Sequence, residues 1–230
     1  MSANAGDPLP TIQELEQLRE GLGRPLPELA PRYLYDDVGS ALFEQITELP
    51  EYYPTRTEII ILERDAQALV EDAAARHLVE LGSGAGRKIR ALLDPWQERD
   101  RGGRCTLFDV NANFLDASVA TLRAAYPLGT FEGVLGDFTQ DLARLDPTLR
   151  EGEDGPRLTV FFAGTIGNFT PDERHAFLRH FGDTLRPEDS LLVGVDLVKD
   201  LARLEAAYND AQGVTAEFNR NALRVVNARF

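Results

Sequence analysis

Hydrophobic and polar positions follow two textures along this chain. In the first third, apolar residues recur at helical spacing: Leu42, Phe43, Ile46 and Leu49 share one face of the stretch from Asp36 to Leu49, as an amphipathic helix requires. Pro50 and Pro54 bracket the turn PEYYP, and a second long helical run extends from Thr55 to about Ala75. Ahead of both, residues 1–32 offer a short amphipathic stretch, Thr11 to Gly21, and the proline-rich connector GRPLPELAP, which predicts an arm and not a core.

From His77 onward the texture becomes short apolar runs set between helical segments: HLVEL, RCTLFDV, TFEGVL, LTVFFAG and SLLVGVD. Runs of this length and composition are strands, and a clear helix is expected after each but the third. The strands are nearly continuous in Val, Leu and Phe, without strict alternation, which is the signature of a parallel sheet covered by helices on both faces. The fold class predicted is therefore α/β, a doubly wound parallel sheet, with a closing helix over Thr215 to Asn227. Trp96, beside Pro95, is expected to end a helix, and the charged residues between Gln97 and Arg104 to form a solvated loop.

Composition narrows the class of partner. The 230 residues include 38 acidic and 24 basic side chains, for a formal net charge of −14. Such a chain repels nucleic acid and anionic membrane and favours a small soluble ligand. The single cysteine, Cys105, makes neither an internal disulfide nor a cysteine-based metal site. His175 and His180 lie five apart on one predicted helix, not the three or four that place two ligands on one face, so no metal site is expected. No apolar run approaches the roughly eighteen residues of a membrane helix. The start, MSANAGDPLP, lacks the basic and apolar segments of a signal peptide, so a cytoplasmic location is expected.

In open α/β sheets the ligand lies beyond the carboxyl ends of the strands, and the residues there are informative. After the first strand comes Glu80-Leu81-Gly82-Ser83-Gly84-Ala85-Gly86, where missing side chains let backbone approach a ligand and the next helix presents free N–H groups. The second strand ends in Phe108-Asp109-Val110, with a carboxylate placed to accept from both hydroxyls of a ribose; the competing reading is Asp109 as N-cap of the helix beginning near Ala112. The third runs into Gly136-Asp137-Phe138, an acid for an adenine amino group and a ring to pack on its face. Together these describe an adenosine site. A pyrophosphate wants the turn G-x-G-x-x-G; here the spacing is G-x-G-x-G with Glu80 just before it, which suits a cationic methionyl group better than a phosphate. S-adenosylmethionine (SAM) is the expected co-substrate, with an NAD(P)-linked oxidoreductase the alternative from the same geometry.

The segments YLYDDVGS (33–40), LPEYYPTRTE (49–58), VELGSG (79–84), TIGNFTP (165–171), DLVKD (196–200) and GVTAEFNRN (213–221) closely resemble the bacterial L-histidine N-alpha-methyltransferases of ergothioneine biosynthesis. The likeness runs from about Tyr33 to the last residue. Members of that family resemble class I methyltransferases with an added substrate-binding domain, and convert histidine to its trimethylated betaine, hercynine, with three molecules of SAM. The resemblance implies that Gly82, Lys88, Asp109, Asp137 and Phe138 contact SAM, and that Tyr52, Asn168 and Tyr208 contact L-histidine. It adds Tyr35 as a pocket tyrosine, and makes Tyr35 and Tyr52 the candidates for catalysis. Tyr35, Tyr52 and Tyr53 are candidates for the wall that stabilises a growing quaternary ammonium.

The same resemblance implies strand order 3-2-1-4-5, a methyltransferase core with its N-terminal helices over residues 33–200, and the start of the substrate-binding domain over 201–230. Family members continue beyond this point through an imidazole-binding segment and the final strands. The expectation is thus a C-terminally truncated form, a monomer if complete, whose alternative role is a SAM-binding module without activity, or a methyltransferase for another amino acid. One local departure stands out: the family's G-S-T-I-G-N reads Ala163-Gly164-Thr165-Ile166-Gly167-Asn168 here, putting a methyl where glycine is usual.

Overall fold

The computed structural model describes residues 10–99, 103–145 and 155–230. Five parallel strands, β1 (His77–Leu81), β2 (Arg104–Asp109), β3 (Thr130–Leu135), β4 (Arg157–Phe161) and β5 (Ser190–Val193), form one sheet in the order β3-β2-β1-β4-β5. β1 and β4 are adjacent, so chain direction across the sheet reverses between them. The helices are α1 (Ile12–Leu22), α2 (Asp37–Glu48), α3 (Tyr53–Asp72), α4 (Arg87–Arg99), α5 (Ala112–Ala125), α6 (Pro171–Gly182), α7 (Leu201–Tyr208) and α8 (Val214–Arg229).

Strand periodicity sends successive side chains to opposite faces, and two cores result. On one face Leu78, Cys105 and Leu107 pack with Leu62 and Val70 of α3, Leu92 and Trp96 of α4 and Leu115 of α5. On the other, Val79, Leu81, Phe108 and Phe161 meet Phe177 and Phe181 of α6. The doubly wound α/β fold expected from the strand texture is the fold observed. A third, smaller layer joins Ile46 of α2 and Leu49 just past it to Tyr52, Tyr53, Ala207 of α7 and Phe218 of α8. α1 buries no residue of its own and is tied down by Arg229 to Glu14 at 2.7 Å and Arg32 to Gln17 at 2.9 Å.

Some boundaries differ from the sequence reading for physical reasons. α3 starts at Tyr53 and not Thr55, because proline in a first turn lacks only an N–H that has no helical partner anyway. Trp96 does not end α4, which continues through Pro95 to Arg99; the indole is fully buried and donates to the Ala75 carbonyl at 2.8 Å. Of the charged loop expected after Gln97, residues 97–99 belong to α4 and residues 100–102 lie outside the described residues. Among the described residues, β3 is followed by a short turn of helix, Leu142–Leu145.

At the amino ends of β4 and β5, Asp189 has no exposed side-chain surface and accepts from the Arg157 N–H at 2.9 Å and the Arg157 guanidinium at 2.6 Å, and from Arg186 through its N–H at 3.0 Å and its guanidinium at 2.9 Å. Among the described residues nothing pairs with the outer edge of β5, and Val195, Leu197 and Val198 just beyond it are exposed. No described helix is long and apolar enough to cross a membrane.

Candidate functional site

The turn after β1 is built on left-handed glycines: Gly82, Gly84 and Gly86 have φ of +73°, +50° and +64°, a region that costs other residues about 1–2 kcal/mol. Hydrogen bonds fix the turn, with Gly82 N–H donating to the Phe108 carbonyl at 2.8 Å and Ser118 Oγ to the Gly84 carbonyl at 2.8 Å. A Cβ on Gly84 would meet nothing within 4 Å, so the turn presents bare backbone to open space. Asp109 closes the same corner, its carboxylate accepting from the N–H groups of Gly84 at 2.8 Å and Asn111 at 2.9 Å. Each oxygen keeps a further lone pair. Asp109 is not the N-cap of α5; Asn111 is, accepting from Phe114 N–H at 3.0 Å.

Phe138 sits beside this turn, its ring 3.5 Å from where a Cβ of Gly82 would stand, and packs edge-on against Phe161 and Phe169. Asp137 accepts from Thr139 N–H at 2.9 Å and faces Arg32 at 3.4 Å. Gly82, Asp109, Asp137 and Phe138 are thus gathered at the carboxyl ends of β1, β2 and β3. Lys88, in the first turn of α4, is mostly buried and paired with Glu58 of α3.

Glu80 is 2% exposed, and its Oε2 has no hydrogen-bond partner among the described residues. Burial pushes its carboxyl well above the usual range; Lys88 opposes the shift, while Asp109 and Glu58 add to it. An acid whose pKa rises on folding takes up a proton as the chain folds. Its contribution is fully present below the unfolded value and is lost as pH climbs through the folded one. Relative to the parent, Glu80→Gln should therefore gain up to about 1.4 kcal/mol per pH unit above the ordinary carboxylate range, until the folded-state pKa is passed. Urea unfolding of both proteins across pH checks this, and a difference that stays flat with pH is the contrary result.

The tyrosines form a second group. Tyr52 meets Tyr208 edge-on at 5.9 Å and Phe43 at 6.2 Å, and Tyr35 packs on Phe43 and Phe218. None of the hydroxyls of Tyr35, Tyr52 and Tyr208 has a hydrogen-bond partner among the described residues. Burial pushes the Tyr35 phenol up to about 12, with Asp109 and Tyr208 adding to it. Burial likewise raises Tyr52, helped by Tyr208 and Tyr35, and Tyr208. All three stay protonated at neutral pH, as donors and ring surfaces and not as bases. Tyr53 departs from the cation wall expected of it: its hydroxyl donates to Asp196, and Lys199 and Arg203 already lie over its ring at 4.2 and 4.4 Å.

Asn168 comes from the end of another strand. It ends the turn Thr165–Asn168 beyond β4, is exposed, and bonds none of the three phenols. The turn opens with Ala163 and Gly164 at φ of +64° and +63°, so Ala163 takes the conformation in which glycine is preferred. Sequence reasoning missed Glu58, Arg32 and Asn111. The first closes the quoted segment LPEYYPTRTE, but nothing local reveals that it reaches across the sheet.

Asn111 joins the two groups, donating from its side chain to the Tyr35 carbonyl and to Ser40 Oγ, both at 3.1 Å. Comparison with known proteins fits this pairing of a nucleoside-type crevice with a tyrosine cluster. The chain is 49% identical over 210 residues to a histidine N-alpha-methyltransferase of Mycolicibacterium smegmatis, an alignment covering 91% of this chain and 64% of that protein. It is 46% identical over 207 residues to a histidine N-alpha-methyltransferase of Mycobacterium tuberculosis, covering 90% and 63%. It thus spans just under two thirds of the length of these relatives. In fold it matches the crystal structure of a candidate methyltransferase from Thermobifida fusca with a TM-score of 0.56 at 18% identity, covering 91% of this chain and 73% of the other. The sequence profile described as "Histidine-specific methyltransferase, SAM-dependent" matches residues 14–230, and with that match spanning both the glycine turn and the tyrosine cluster, the chain belongs to that family.

Proposed function

We propose that this chain binds SAM at the carboxyl ends of β1 to β3 and takes part in methylating the alpha-amine of L-histidine, toward the trimethylated betaine hercynine. The observation that carries the reading is the set of three protonated phenols without hydrogen-bond partners among the described residues, Tyr35, Tyr52 and Tyr208, set beside a crevice suited to a nucleoside. The described residues fit an adenosyl sulfonium: the backbone of Gly84 faces open space where a larger residue would intrude, Asp109 keeps free lone pairs, and Glu80 leaves a buried carboxyl oxygen unmet. SAM supplies an activated methyl carbon.

The chain's own residues then have three tasks. Gly82, Asp109, Asp137 and Phe138 hold the nucleoside, with Lys88 toward its carboxylate. Tyr52, Tyr208 and Asn168 hold the amino acid by donating to its carboxylate end. The rings of Tyr35 and Tyr52 line the path of an amine that gains charge as it is methylated, where each aromatic face contributes roughly 0.5–2 kcal/mol toward a cation. Because the phenols hold their protons, the amine, with a pKa of about 8, gives its proton to water. We place this chemistry on small molecules in the cytoplasm, in keeping with a net charge of −14 that opposes polyanionic partners.

The test is mass spectrometry of histidine incubated with SAM and the chain, where successive methyl additions are expected. Binding of S-adenosylhomocysteine with no methylated product would favour the non-catalytic module instead. Tyr52→Phe should weaken histidine binding about tenfold, the value of one hydrogen bond to a charged group, while leaving nucleoside affinity unchanged; equal loss of both by calorimetry would remove Tyr52 from the acceptor pocket.

A further inference from the structure

Glu58 lies at the point where the sheet reverses direction. Its carboxylate pairs with Lys88, in the first turn of α4, the helix that follows β1. The Ala163 N–H, just past β4, faces both its oxygens at 3.0 and 3.2 Å. A Cβ on Gly194, just past β5, would fall 1.8 Å from Oε1, so the carboxylate rests against backbone there too. One side chain of α3 thus spans the carboxyl ends of β1, β4 and β5, and the β1–β4 junction is where an open α/β sheet receives its ligand.

Stability gives no reason for charges at this spot. The Glu58 and Lys88 side chains are 16% and 12% exposed, and a desolvated ion pair roughly breaks even against an apolar replacement. What the pair does offer is one positive and one negative group a hydrogen bond apart, already stripped of most of their water. That is the complement of a zwitterion, a carboxylate and an ammonium on one carbon.

We infer that Glu58 is a further cofactor-binding residue: the Glu58–Lys88 pair receives the amino-acid end of the methyl donor, Lys88 toward the carboxylate and Glu58 accepting from the ammonium. This rests on the SAM reading above. Each charge of the pair keeps an opposite partner before and after binding, so the ligand does not have to desolvate an isolated ion. The competing role is structural, with Glu58 only holding the strained turn at Ala163. Glu58→Gln separates the two, because its amide oxygen still accepts from the Ala163 N–H while the charge is gone.

Calorimetry with two nucleosides reads the difference. S-adenosylhomocysteine carries the amino-acid end; 5′-methylthioadenosine has the same nucleoside and a thioether without it. Glu58→Gln is expected to weaken S-adenosylhomocysteine at least about tenfold, the loss of one charge-assisted hydrogen bond, and to leave methylthioadenosine within about twofold. Lys88→Met should show the same selective loss. Equal weakening of both ligands in Glu58→Gln assigns Glu58 to the turn alone and overturns the inference, as does unchanged affinity for both. A parent chain that binds neither nucleoside overturns the SAM reading itself, and this assignment with it.

Discussion

Asp189→Ala is expected to lower the unfolding free energy by about 3–5 kcal/mol, because removing one partner of a buried ionic cluster strands the others without compensation. Arg157 would lose both its backbone and its guanidinium contacts to that carboxylate, and Arg186 would lose its own. The pH dependence has a definite sign. Burial works to raise the Asp189 pKa, but the hydrogen bonds from Arg186 and Arg157 prevail and hold it below the ordinary value. A carboxyl depressed in the folded state contributes stability above its unfolded pKa and loses it as pH falls through the folded one. Parent and variant should therefore differ fully at neutral pH and converge toward the acid limb. Urea denaturation at several pH values measures this, and a neutral-pH difference below about 1 kcal/mol, the range of an exposed pair, would show that the cluster is not what fixes β4 and β5.

Asp109→Ala should cost on the order of a hundredfold in affinity for S-adenosylhomocysteine. Two charge-assisted bonds to ribose hydroxyls at about 1.5 kcal/mol each give that factor. The variant also leaves the N–H groups of Gly84 and Asn111 without their acceptor, so its folding must be followed alongside. Asp109→Asn keeps an oxygen acceptor and should recover part of the loss. If the alanine variant is folded and binds as tightly as the parent, the ribose lies elsewhere.

The sheet was legible because strand and helix periods differ and because the central strands β1, β2 and β4, buried almost throughout, are apolar over most of their length. Ends of elements were less so. Trp96 looked like a terminus because Pro95 breaks local rules, and only the contact to Ala75 shows why α4 carries on. At the site, residues fixed to strand tips could be named from order alone, as with Gly82, Asp109 and Asp137. Glu58 could not, since it belongs to a helix that precedes the sheet and reaches it only through packing. The N-cap of α5 falls to Asn111 and not to Asp109, because two capping-type residues two apart satisfy the same pattern and Asp109 is turned to the N–H of Gly84 instead.

Asn111 also bears on how the two ligands of the proposed reaction would be spaced. One amide caps a helix, grips the carbonyl of Tyr35 and neighbours Asp109, so the spacing between the glycine turn and the tyrosine cluster is inherited from folding and is not assembled on encounter. For the two reactants of the proposed methylation, part of the entropy of bringing them together would then be surrendered in advance, and loosening this single joint is expected to slow turnover more than it weakens either ligand alone.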